Sequence, residues 1–171
     1  GTGASLRPLY AELVRRHKEE GVSFRNAVIF NLYEYYPLSE QGSSSIGQLN
    51  ELFLNQVDID RQNVFTPDGT IPQDAVIDHC LLYEQRIKTY GGLDIVLMGI
   101  GREGNVAMNE PGSTAASITR LIFVDSTSRS EAAHNLGVDN LPHCSITMGI
   151  NTIMEARRVY LLAWGDDKTD I

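Results

Sequence analysis

An α/β fold, with a mostly parallel sheet and helices on both of its faces, is what this sequence predicts. Three observations carry that reading. Short apolar runs alternate with longer segments of helical periodicity, the pattern of parallel strands joined by helices. The run Leu93 to Met98 is almost unbroken in its apolar character and is bounded by glycines, as suits a strand covered on both faces. Glycines and polar residues follow that run at once, at the strand's carboxyl end, where open sheets of this Rossmann-like kind hold their ligands.

Taken from the start, Gly1 to Tyr10 join a glycine-bearing loop to a helix. Leu9, Leu13 and Val14 recur at helical spacing, Thr2 or Ser5 is placed to cap the helix, and Gly21 ends it. A helix start with free N–H groups and small side chains is also a natural anion cradle. Asn26 to Leu32 reads as a strand, with the polar cluster Tyr33-Glu34-Tyr35-Tyr36-Pro37 at its carboxyl end. A Gly/Ser-rich loop from Pro37 to Ser45 leads to an amphipathic helix marked by Ile46, Leu49, Phe53 and Val57, and Thr66-Pro67-Asp68-Gly69 is a turn. The next helix runs from about Pro72 to Tyr90, with Ile77, Cys80, Leu81, Glu84 and Ile87 on one side and Gly91 past its end. Leu121 to Val124 is another buried-strand run. Asp125 or Ser126 caps a following helix that carries Arg129 and His134, and Val159 to Ala163 is the last strand.

A chain of 171 residues, 42% of them hydrophobic, is enough for one core, so residues 1–171 are expected to form a single domain. Its 22 acids outnumber its 14 bases, a net charge of -8 that argues against nucleic acid or an anionic membrane as partner. A phosphate site must then be local, built from backbone N–H groups and a few placed cations. The two cysteines and four histidines lack ligand spacing, so no metal is expected. With no apolar run of spanning length and no signal-peptide pattern, reduced thiols and a cytoplasmic location are expected.

Gly99, Gly101 and Gly104 match a dinucleotide fingerprint, and Asp125 lies at about the spacing of a ribose-binding acid. Such a loop should open a helix at once, whereas Pro111 would break one, so no nucleotide cofactor is expected. Read alone, the glycines also fit a plain strand-to-loop turn.

The same residues, Gly99-Ile100-Gly101-Arg102-Glu103-Gly104-Asn105-Val106-Ala107-Met108-Asn109-Glu110-Pro111, resemble the signature of the glucosamine-6-phosphate deaminase/isomerase family, Gly-x-Gly-x-Asp-Gly-His-x-Ala-Phe-Asn-Glu-Pro. The related 6-phosphogluconolactonases share the glycine loop but lack the Asn-Glu-Pro ending, and sugar-sensing domains of some bacterial repressors share the fold. Thr2-Gly3-Ala4-Ser5 is similar to the family's Thr-Gly-Gly-Thr-Pro phosphate loop, and Asn31-Leu32-Tyr33-Glu34-Tyr35 to its Asn-Met-Asp-Glu-Tyr. Ser145 to Met154 resembles Thr-x-Gly-x-Gly-Thr-x-Leu, with Asn151 at the second glycine, and Gly165-Asp166-Asp167-Lys168 resembles Gly-x-x-Lys. The resemblance implies conversion of glucosamine 6-phosphate and water to fructose 6-phosphate and ammonia, a sugar phosphate as partner and no cofactor. Compared with the family, the first strand and the C-terminal elements have no counterpart in this sequence. Either the sequence is a piece that starts late, or the sheet is built without that strand, whose loss would expose a sheet edge or leave a gap in the core for another chain to fill, so a homo-oligomer is expected.

Carried over residue by residue, the resemblance implies catalytic positions at Tyr33, Glu103, Asn105 and Glu110. Tyr33 stands where the family's proton-abstracting aspartate does, Asn105 replaces its histidine, and Glu103 and Glu110 occupy the places of acids that orient that histidine. Thr2, Gly3, Ala4, Ser5, Gly99, Gly101, His134 and Lys168 are the implied phosphate and substrate positions, with His134 replacing an arginine. A phenol with pKa about 10 is a poor base, a carboxamide shuttles no proton, and an imidazole lacks a guanidinium's forked donors. Deaminase activity is therefore expected to be weak or lost, or to use another base such as Glu34. The other reading is a non-catalytic sugar-phosphate-binding or regulatory domain.

Overall fold

The computed structural model describes residues 1–39, 42–165, 168 and 171, so Asp166 and Asp167 of the Gly-x-x-Lys match lie outside the described residues. The first loop winds into a 3-10 turn, Ala4–Leu6, that runs straight into helix α1 (Arg7–Glu20). Pro8 occupies the first turn, where its missing N–H removes no intrahelical bond, and Gly21 closes the helix with φ 73°. Neither Thr2 nor Ser5 caps it. The N-cap positions are Gly3 and Leu6, without side-chain bonds, and Thr2 is buried instead against Tyr33.

Strand β1 (Ile29–Phe30) keeps only two residues of the expected run, and Tyr33–Tyr36 form a strand of their own, β2, fully buried. The break between them has a cause. Asn31 is buried, its backbone N–H donating to Phe65 O at 2.8 Å while its Nδ2 donates to Tyr33 O at 3.0 Å and Ser45 Oγ at 3.1 Å. These bonds carry the chain from one sheet to another with the Asn31 N–H groups paired, while its Oδ1 is buried without a partner among the described residues.

Helix α2 (Ser45–Leu52) is capped by Ser44, whose Oγ accepts from Gly47 N at 2.9 Å, and it gives way to a 3-10 turn, Leu54–Gln56, so Val57 lies beyond it. Strand β3 (Val64–Phe65) and helix α3 (Val76–Thr89) follow. The face that α3 buries is Val76, Cys80, Tyr83, Glu84 and Ile87. Ile77 and Leu81, expected on that face, are 73% and 53% exposed. Polar partners turn the helix. Glu84 accepts from Thr119 N and Thr152 Oγ1, both at 2.7 Å, and Tyr83 OH donates to Asn31 O at 2.8 Å.

Strands β4 (Ile95–Gly99), β5 (Arg120–Phe123), β6 (Cys144–Thr147) and β7 (Arg158–Leu162) complete the sheets, with α4 (Ser126–Leu136) and α5 (Ile150–Met154) between them. Asp125 caps α4, its carboxylate accepting from Thr127 N at 2.7 Å. β1 pairs parallel with β3, and β4 parallel with β7. The third sheet is antiparallel, with β6 between β2 and β5, an addition the sequence reading did not contain. Helices cover both faces of β4. Val96 and Met98 join a cluster with Tyr83 and Ile87 of α3 and Ala133 of α4, while Leu97 packs on the cluster of Tyr10 and Val14 of α1 and Leu49 of α2. Among the described residues no helix is long and apolar enough to cross a membrane.

Candidate functional site

At the carboxyl end of β4 opens a cavity of about 830 Å³. Its walls come from the first loop, the turn after β4, the start of β2 and the inner side of α4. Thr2, Gly3, Ala4 and Ser5 line one side, and Gly99, Gly101 and Asn105 the floor. Tyr33, His134 and Lys168 complete the set of sequence-indicated residues that the fold brings together there.

The loop that β4 feeds is held by its own backbone: Gly101 N donates to Asn105 O at 2.8 Å, Gly104 N to Gly101 O at 3.1 Å, and Asn109 N to Val106 O at 2.9 Å. No helix opens here, and the next one is α4. Of its three glycines only Gly104 has a positive φ, 79°. Gly101 is needed for another reason, since a Cβ there would overlap the Asn105 carboxamide, with Cγ only 2.6 Å away. Asn105 is 8% exposed, and its Oδ1 is buried with no hydrogen-bond partner among the described residues. A buried acceptor left open beside a cavity costs about 1–3 kcal/mol until something donates to it.

Tyr33 OH lies 3.3 Å from Thr2 Oγ1. Burial pushes its hydroxyl above the ordinary phenol value, outweighing the hydrogen bonds that pull it down. It is therefore neutral and protonated at physiological pH. Glu34, the alternative base, faces the other way: Oε1 accepts from Tyr35 N at 2.9 Å and Ser45 N at 2.7 Å, and Oε2 from Ile46 N at 3.0 Å. Its carboxylate holds the start of α2 and does not line the cavity. Burial raises its pKa against the opposing pull of those three amides.

Two sequence-indicated acids are not brought into the cavity. Glu103 is exposed and outside the lining. Glu110 binds the beginning of α4, accepting from Ser128 Oγ at 3.0 Å and Asp125 N at 3.3 Å. Glu131, which the sequence reading passed over, is the one carboxylate among the described lining residues, and Lys168 Nζ lies 3.2 Å from it. The hydroxyls of Ser126, Thr127 and Ser128 also line the cavity. Trp164 contributes too, its Nε1 donating to Ser5 O at 2.9 Å. An acid near the middle of α4 carries no local signature, because its partner is 37 residues away.

At the first loop, Leu6 N bonds to Gly3 O, so the amides of Gly3, Ala4 and Ser5 precede the first donor of the turn and face no partner within it. With Lys168 nearby, these groups can hold an anion, and Asn105 can take a hydroxyl. Fold and site together define an α/β protein with a cleft of small-molecule size at the carboxyl end of a parallel strand. The chain belongs to the glucosamine-6-phosphate isomerase/6-phosphogluconolactonase family, whose model matches residues 2–171. It is 56% identical over 168 residues to a glucosamine-6-phosphate deaminase-like protein of Bacteroides thetaiotaomicron, covering 97% of this chain and 25% of that one. It is 39% identical to the glucosamine-6-phosphate deaminase of Cellvibrio japonicus, covering 99% of this chain and 64% of the relative. The chain thus spans a quarter of the first relative and under two thirds of the second.

Among solved structures, a monomeric glucosamine-6-phosphate deaminase superposes with TM-score 0.92 at 34% identity, covering 99% of this chain and 70% of that one. The expected homo-oligomer draws no support from a monomeric relative. The 6-phosphogluconolactonase of Trypanosoma brucei, at TM-score 0.71 and 20% identity over 98% of this chain and 69% of its own, shares the fold.

Proposed function

We propose that this chain is a sugar-phosphate-binding member of the deaminase branch that holds a hexosamine phosphate without deaminating it at an enzyme's rate. The observation that carries the reading is the pairing of a cleft suited to an anion and hydroxyls with a phenol and a carboxamide, Tyr33 and Asn105, at the two lining positions where the family resemblance places its proton-moving groups. Asn105 lines the cavity with a carboxamide whose Oδ1 is buried and without a partner among the described residues, and Tyr33 lines it with a hydroxyl that burial keeps protonated. Opening a sugar ring and moving a proton from its C2 each need a group that takes and returns a proton, worth about 10²–10⁴ in rate apiece. A carboxamide cannot do this at all, and a phenol with a raised pKa does it poorly at neutral pH. Glu34, one residue along, is committed to the start of α2.

The test is ammonia release from glucosamine 6-phosphate, run beside thermal melting with the same ligand. The expected outcome is a higher melting temperature with little or no ammonia. Turnover at rates ordinary for an enzyme, at a median near 10 per second, would overturn the reading.

A further inference from the structure

One contact in the cleft does not fit a plain phosphate pocket. Glu131 Oε1 lies 3.2 Å from Lys168 Nζ, and Glu131 Oε2 accepts from Arg102 N, also at 3.2 Å. All three residues line the cavity. The lysine side chain is 10% exposed and the glutamate 24%, so solvent screens this pair less than an ordinary surface pair. The protein's own carboxylate therefore occupies a cation and a backbone donor that an entering anion would use.

We propose that Glu131 sets the charge selectivity of this end of the cleft by competing with a ligand's phosphate for Lys168 and the Arg102 amide. A phosphate placed within reach of Lys168 comes within about 4–6 Å of Glu131, where like charges disfavour each other. The native chain accordingly holds a phosphorylated amino sugar weakly and separates it little from the free amino sugar. The inference rests on the reading of this cavity as a sugar-phosphate site, and it adds the residue that tunes it.

Calorimetric titration of the 171-residue chain with glucosamine 6-phosphate, inorganic phosphate and glucosamine tests it. Glu131→Gln keeps the shape and an oxygen for the Arg102 N–H but removes the charge. It is expected to tighten glucosamine 6-phosphate and inorganic phosphate at least about tenfold, with glucosamine unchanged, and the gain should vanish in Glu131→Gln/Lys168→Ala. A residue that merely supported α4 would give loss of binding instead. Glu131→Ala serves the same test if the glutamine variant does not fold. Equal or weaker phosphate binding in a folded Glu131 variant overturns the inference alone. Failure of the native chain and both variants to bind any of the three ligands overturns it together with the proposed function.

Discussion

Replacing Glu34 with glutamine separates a structural carboxylate from a catalytic one. In the folded chain this side chain is 1% exposed and accepts three backbone N–H bonds, two at Oε1 and one at Oε2. Glutamine's single oxygen can keep the bonds from Tyr35 and Ser45, but its NH₂ then meets the Ile46 N–H, donor against donor. Bonds to a charged acceptor contribute about 1.5–3 kcal/mol and neutral ones about 0.5–1.5, and an orphaned buried donor costs about 1–3. Two weakened bonds and one orphan come to about 3–5 kcal/mol, and glutamine recovers part of this because burial opposes the carboxylate's charge, which leaves about 3 kcal/mol. With a urea slope of about 2–3 kcal/mol per molar for a chain of this size, the unfolding midpoint should fall by about 1–1.5 M. Urea unfolding followed by far-ultraviolet circular dichroism reads it directly. A midpoint shift below about 0.3 M with an unchanged slope would refute the assignment.

Further outcomes follow from the same geometry. Burial raises the phenol pKa of Tyr10, Tyr33, Tyr35 and Tyr83 above 10, so their contribution to stability is intact below pH 10 and is lost as pH rises toward the folded-state values. Tyr10, Tyr35 and Tyr83, the most strongly raised, should together remove about 4 kcal/mol per pH unit above about pH 11, giving steep alkaline unfolding with a coincident jump in phenolate absorbance. Smooth titration of all seven tyrosines near pH 10 with circular dichroism unchanged would contradict this. Gly101→Ala should displace the Asn105 carboxamide, costing about 1–3 kcal/mol and abolishing the melting shift with glucosamine 6-phosphate; a variant as stable as the native chain that still shifts would argue against the packing described. At Gly149 a Cβ would come 2.5 Å from Ile118 O and overlap the Ser117 carbonyl, so Gly149→Ala should cost more than 3 kcal/mol in urea unfolding, and a loss under 1 would count against it.

Local chemistry is what the sequence determined by itself. The apolar run that became β4, the glycine-rich turn beyond it, the Asp125 cap and the Gly21 stop all depend on residues within a few positions of one another, and each was legible. The gathering of the first loop and Lys168 with that turn was implied by motif likeness, and the cavity puts them together. Tertiary structure decided which way side chains point. Tyr33 and Glu34 are neighbours in a strand, so they face opposite sides: the phenol turns into the cavity and the carboxylate to the start of α2. That choice is fixed by pairing β2 with β6, where Tyr33 lies opposite Thr147. The buried face of α3 was likewise settled by Thr119 and Thr152, and the Glu131 pair by Lys168. Periodicity and caps report a chain's preference for helix or strand, whereas orientation depends on partners far along the chain that exist only once it has folded.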